Sequence, residues 1–180
     1  MALYRKNPGL RRLKGRGGFT LPEALVTAFI FAIIVGASTT LLLSGMDSWQ
    51  VNEVKIELQQ ELRKGMDWIA KDLRQAGSAS ITNVPPDGNI YTSIIFAVAI
   101  DPVGGVITWS PNIQYVVNNG QLQRIQGGNT RVIAQNIQLL QFQRQNTTSN
   151  LVEVTLQAQK NSIRGHPLAD TLNFQVKLRN

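Results

Sequence analysis

The 180-residue chain contains no cysteine. That excludes a disulfide framework, a thiolate nucleophile and attachment of lipid to a cysteine. It leaves the redox compartment open, because an oxidising space permits disulfides without requiring them. One histidine, His166, is too few for a histidine-based metal cluster or a two-histidine dyad. Acids are missing from the stretch before Gly18, where Arg5, Lys6, Arg11, Arg12, Lys14 and Arg16 lie. Without those six, 12 bases face 11 acids. The net charge of +7 is therefore a property of the leader, and the rest of the chain offers no electrostatic footprint for nucleic acid. With 43% hydrophobic and 16% charged residues, the chain is expected to fold rather than remain disordered.

Ala24 to Leu43 is a run of 20 uncharged, mostly aliphatic residues, about 30 Å as a helix, which is one bilayer core. The basic cluster precedes it, and the charges that follow (Asp47, Glu53, Lys55, Glu57) are mixed in sign. The bias in Lys and Arg predicts a cytoplasmic N-terminus and an exported C-terminal part. A conventional removable signal peptide has an apolar region of roughly 7 to 15 residues closing on small residues. Here the nearest small cluster, Gly36-Ala37-Ser38, lies inside the run. A plain signal anchor is the simpler alternative.

The junction Arg16-Gly17-Gly18-Phe19-Thr20-Leu21-Pro22-Glu23 argues for something more specific. Glu23 is a carboxylate at the edge of a membrane-length segment, where an uncompensated charge costs several kcal/mol or protonates. Thr20 and Glu23 have the spacing of a capping box, with Pro22 in the first turn, where its missing N–H breaks no helical bond. Cleavage before Phe19 would provide a second partner, an α-ammonium at the membrane edge. These residues, behind a short basic leader and ahead of about 20 apolar residues, resemble the prepilin signal of type IV pilins and type II secretion pseudopilins. The resemblance implies that a membrane-embedded prepilin peptidase cuts after Gly18 and methylates the new N-terminal Phe19. It also implies that Glu23 brings the subunit into register with its neighbour during assembly. Pro22 stands where that family usually has a large aliphatic residue.

Beyond the membrane-length run, Val51, Val54, Leu58, Leu62, Met66, Ile69 and Leu73 form one apolar stripe of a helix, with Gly77 as its expected stop. Asp67 and Lys71 are spaced as an i,i+4 pair, and Gly65 is a weak point by propensity. A single helix from Thr20 to Gln75 would be about 84 Å long. Ala28, Ala32, Gly36, Thr40 and Ser44 recur every four residues, a stripe on which another membrane helix can approach closely. After the breaker-rich Val84-Pro85-Pro86-Asp87-Gly88-Asn89, strands are expected at Ser93 to Ile100 and, after a turn at Asp101 to Gly105, at Val106 to Trp109. A hairpin is expected around Asn118-Asn119-Gly120, with further strands at Arg131 to Ala134 and Ile137 to Arg144. Two alternating stretches follow, one with Val152, Val154, Leu156 and Ala158 on a face and one with Leu172, Phe174, Val176 and Leu178.

The expected class is α+β, a pilin-like fold with a long N-terminal helix packed on a C-terminal antiparallel β-sheet. Its parts are residues 1-18, a leader to be removed; 19-44, the transmembrane and assembly helix; 45-77, an exported amphipathic helix; and 78-180, the sheet head. The stretch Trp68 to Gly77 and the later Tyr115, Gly120 to Arg124 and Val132 to Ala134 resemble the J-type pseudopilin of type II secretion and the W-type minor pilin.

Exported chemistry is sparse. His166 lies in a loop by composition, and Asp87-Gly88-Asn89 supplies too few oxygens for Ca²⁺ and reads as a turn. Gly104-Gly105 and Gly127-Gly128 lack the context of a phosphate loop, and Asn146-Thr147-Thr148 fits the glycosylation triplet only by pattern. Trp49 is placed to anchor at a membrane interface. No catalytic set, metal or cofactor is expected. The resemblance implies a minor pilin-like subunit in the bacterial inner membrane. Its partners would be the prepilin peptidase/methylase, membrane lipid and other pilin-like subunits in a secretion pseudopilus or pilus, at or near the tip. The competing class is a monomeric signal-anchored exported binding protein. Glu23 separates the two, because an anchor has no use for an acid there.

Overall fold

The computed structural model describes residues 18–103, 106–146, 150–162 and 165–179. The basic leader, Gly104-Gly105 and the triplet residues Thr147 and Thr148 lie outside the described residues. One helix, α1, runs Leu21–Gln75. Ten strands follow: β1 (Ile90–Tyr91), β2 (Ser93–Phe96), β3 (Ala99–Val103), β4 (Val106–Trp109), β5 (Ile113–Asn118), β6 (Gln121–Gln126), β7 (Asn129–Gln135), β8 (Ile137–Gln143), β9 (Leu151–Asn161) and β10 (Pro167–Lys177). The class is α+β, a long N-terminal helix followed by antiparallel sheets. The chain divides into two compact units, Met1–Met46 and Asp47–Asn180.

In the second unit the strands form two four-stranded sheets, ordered β1-β8-β9-β10 and β2-β5-β6-β7, and a ribbon β3-β4. All ladders are antiparallel. The expected single sheet is thus several. The run Ser93 to Ile100 breaks between β2 and β3 because Val98 leaves the sheet that holds β2. Its N–H donates to Ser110 Oγ (3.1 Å), its carbonyl accepts the Ser110 N–H (2.9 Å), and it bridges to Ala76. Strand β3 also includes Asp101, Pro102 and Val103, three of the residues expected to turn. The β5–β6 hairpin forms at Asn118-Asn119-Gly120, with positive φ at Asn119 (49°) and Gly120 (73°), the two values that a primed turn requires.

One core joins the part of α1 in the second unit to both sheets. Leu58, Leu62, Ile69 and Leu73 meet Ile94, Phe96 and Tyr115 of one sheet and Phe142, Val154 and Leu156 of the other. Gly65, a weak point by propensity, lies in this contact. A Cβ there would stand 2.9 Å from Leu122 Cδ2 and 3.3 Å from Leu156 Cδ1, both on fully buried side chains. The missing side chain lets the helix approach the strands. Gly65→Ala gains about 1 kcal/mol of helix propensity but overfills a tight core at about 1–3 kcal/mol. A net loss of about 1 kcal/mol is expected, with a larger loss for Gly65→Val, read from the denaturant midpoint. A midpoint raised by Gly65→Ala would show that the core has room.

The helix stops at Gln75, but not through a left-handed glycine. Gly77 is extended (φ −80°, ψ 150°), Ala76 bridges to Val98, and Gly77 pairs with Arg179 near the C-terminus. Strand-like pairing ends the helix. The Asp67–Lys71 ion pair is not among the salt bridges of the described residues; Lys71 Nζ instead lies over the Trp68 ring, at 5.8 Å. Exposed i,i+4 pairs contribute only a few tenths of a kcal/mol, so a neighbouring ring face competes with them readily.

Candidate assembly site

Gly18, Phe19 and Thr20 precede the helix in irregular backbone, and every side chain from Gly18 to Met46 is exposed. Thr20 takes the N-cap place, its carbonyl accepting the Ala24 N–H at 3.0 Å. The side-chain half of the expected capping box is not closed: among the described residues Thr20 Oγ1 does not accept the Glu23 N–H, and the Glu23 carboxylate does not accept the Thr20 N–H. The Glu23 backbone carbonyl accepts the Thr27 hydroxyl at 2.7 Å, while its carboxylate has no hydrogen bond or ion pair among the described residues. Glu23 is therefore an unpaired acid in the first turn of α1.

The helix that follows is long and apolar enough to cross a membrane. Its hydroxyl groups are satisfied within the helix, as an apolar setting requires. Ser38 donates to the Ile34 carbonyl (2.8 Å), Thr39 to that of Val35 (2.5 Å), and Thr40 to those of Gly36 (3.0 Å) and Ala37 (2.8 Å). Ala28, Ala32, Gly36 and Thr40 follow one another on one side of the helix at four-residue steps, and a Cβ on Gly36 would meet nothing within 4 Å.

Three clusters in the second unit were not singled out from the sequence. Asp72, on the buried side of α1, accepts the Tyr115 hydroxyl (2.8 Å) and Arg124 Nε (2.6 Å). Burial, then the Asp72 charge and hydrogen bond, push the Tyr115 phenol well above its usual range. Burial pulls the Arg124 guanidinium down, but the bond to Asp72 and its charge outweigh that and leave it raised. A legible signal existed: Asp72 sits three residues after Ile69 and seven after Gly65, within the helix's buried stripe, where a carboxylate needs a partner. Arg144, at the end of β8 and 3% exposed, donates to the Val84 carbonyl (2.9 Å) and to Ser78 Oγ (2.7 Å), and burial lowers its pKa. Trp68 lies under Lys71, Arg124 and Arg131.

Asp87 is the turn residue expected. Its carboxylate accepts the Tyr91 hydroxyl (2.7 Å), the Asn89 N–H (2.9 Å) and Asn89 Nδ2 (2.8 Å). The Tyr91 bond first, then the Asn89 N–H, hold it below the ordinary carboxylate range. His166 is exposed, and its backbone N–H donates to Ser162 Oγ (3.1 Å). Among the described residues no three His, Asp or Glu side chains gather as a metal site.

Residues 13–39 match the family model described as the prokaryotic N-terminal methylation motif. This is the prepilin-type signal of type IV pilins and pseudopilins, and it spans Gly18, Phe19, Glu23, Ala28, Ala32 and Gly36. It points to a structural pilin-like protein processed by prepilin peptidase and assembled with other pilins. With the long apolar helix near the N-terminus, it fits a protein anchored in the inner membrane by one span. Comparisons with curated proteins and with solved structures gave no match.

Proposed function

We propose that this chain is a minor pilin-like subunit of a type II secretion pseudopilus or a type IV pilus, placed at or near its tip. One observation carries the reading: the prepilin-type signal runs directly into an exposed apolar helix whose first turn holds an unpaired acid, Glu23. In this reading residues 1-18 are removed, and Phe19 becomes the methylated N-terminus. Residues 19-44 hold the chain in inner-membrane lipid and then in the filament, with Ala28, Ala32, Gly36 and Thr40 facing a neighbouring helix. Residues 45-77 and 78-180 form the exported body. The free Glu23 carboxylate favours assembly over the alternative of a monomeric anchored binding protein, because a plain anchor has no use for an acid there, whereas a neighbour bringing an ammonium gives it a partner. The minor role is supported by the likeness of Trp68 to Gly77 to the J-type and W-type subunits. It is also supported by Gln- and Asn-rich exported segments such as Asn118 to Gln123, whose hydrogen bonds a wrong partner would leave unmade.

Intact-mass measurement of the membrane-purified protein tests the processing step. The mature chain is expected to begin at Phe19 and carry one methyl group, and Gly18→Arg should keep the leader by replacing a side-chain-free contact at the cut. A chain beginning at Met1, or after Ala37, would remove the proposal.

A further inference from the structure

Arg124 on β6 and Arg131 on β7 stand directly opposite each other in their sheet. Like charges in that position repel and cost stability. Both guanidinium groups lie over the Trp68 indole, at 6.0 and 4.5 Å from the ring centre, and Lys71 Nζ lies 5.8 Å from the same ring. Attraction between the ring and the cations offsets part of the repulsion. Among the described residues one carboxylate, Asp72, forms an ion pair with the group, and it is committed to Arg124 and Tyr115. Among the described residues Lys71 and Arg131 have no carboxylate partner, and both are exposed. The result is a local excess of positive charge on an aromatic floor, which an incoming anion would relieve.

We propose that Trp68, Lys71 and Arg131 form a docking surface for an acidic side chain on a neighbouring pilin-like subunit. This rests on the heteromeric reading above and adds the chemistry of its contact. A carboxylate between Lys71 and Arg131 screens the cross-strand repulsion, and the apolar stem that carries it covers the exposed edge of the indole. A nucleic acid fits less well. The register neighbours of the two arginines are Gln123, Ile125, Thr130 and Val132, so no row of bases for phosphates runs along these two strands.

The test uses the full mature chain in detergent, titrated against each pilin-like subunit encoded beside it. The Lys71→Gln, Arg131→Gln double variant is expected to raise the apparent Kd about tenfold, the low end for close charge pairs across an interface. Binding by the wild type should also weaken as salt rises. Arg131→Gln alone should leave Tm unchanged or raised, because it relieves the like-charge pair, whereas an arginine that merely stacks would lower Tm and leave Kd alone. Arg131→Lys should restore most of the affinity. Wild-type binding that the double variant leaves intact would overturn the docking surface and spare the functional reading. If the wild type bound none of these subunits, both would fall. Loss confined to self-association, to duplex DNA or to anionic vesicles would assign the patch elsewhere and overturn the proposal.

Discussion

Glu23→Ala is expected to abolish incorporation into filaments while leaving cleavage before Phe19 and membrane insertion intact. The carboxylate has no hydrogen bond or ion pair among the described residues, and the helix after it is apolar and exposed. Brought beside other such helices, an unpaired carboxylate costs several kcal/mol, and a neighbour's α-ammonium would turn that cost into a directed contact. Losing one member of a desolvated charge pair costs about 2–5 kcal/mol, enough to stop docking. Insertion should improve slightly, since the costly group is gone. A milder role is also physically available, because an acid in a first helical turn interacts favourably with the helix dipole at about 0.3–1 kcal/mol. Glu23→Gln, which keeps the shape and loses the charge, separates the two by size: a dipole role forfeits at most about 1 kcal/mol and predicts near-normal assembly, whereas a registering role predicts failure. Crosslinking of the variants within membranes, compared with their recovery in sheared filaments, gives the reading. Glu23→Gln entering filaments like the wild type would remove the registering role.

The motif matched at residues 13–39 was legible because its signal is local: basic residues, the junction Gly18 to Glu23 and the start of an apolar run follow one another directly. The hairpin at Asn119-Gly120 was legible for the same reason, since positive φ at two successive positions selects those residues. Alternation placed Val152, Val154, Leu156 and Ala158 on the buried face of β9, and β10 pairs with it through Leu172↔Leu156 and Phe174↔Val154. What escaped was non-local. The two-residue β1 exists only because Ile90 and Tyr91 meet Gln143 and Phe142 across the chain. The split of Ser93 to Ile100 depends on Ser110 and Ala76, which no local pattern announces. Gly65 read as a propensity defect because its benefit, space for Leu122 and Leu156, belongs to residues far along the chain. The Asp72–Arg124 pair, 52 positions apart, was hidden in the same way, although an acid inside the buried stripe of a helix was itself a signal.

Asp72→Ala is expected to destabilise the second unit by about 3 kcal/mol, the low end for breaking a buried ion pair. Two groups lose their partner. The Tyr115 hydroxyl, on a fully buried residue, is left with no acceptor, and the Arg124 guanidinium keeps only its Nη1 bond to Gln126 Oε1 (2.8 Å). Arg124 would then also face Arg131 with no compensating charge. Asp72→Asn retains an acceptor for Tyr115 and should lose roughly half as much, because a hydrogen bond to a charged group is about twice as strong as one between neutral groups. The pair ties α1 to β5 and β6, so the loss should appear as one cooperative shift in the denaturant midpoint and not as fraying of a terminus. Tyr115 adds a pH signature. Its folded pKa is raised above the ordinary value of 10.0, so the stabilisation is fully present below about pH 10 and is lost as pH rises further and the unfolded chain ionises. Tyr115→Phe should remove that alkaline loss while costing about 1 kcal/mol near neutrality, because Asp72 keeps Arg124. If Asp72→Ala melted with the wild type, or Tyr115→Phe kept the same alkaline fall, the network would not be what fixes the helix on this sheet.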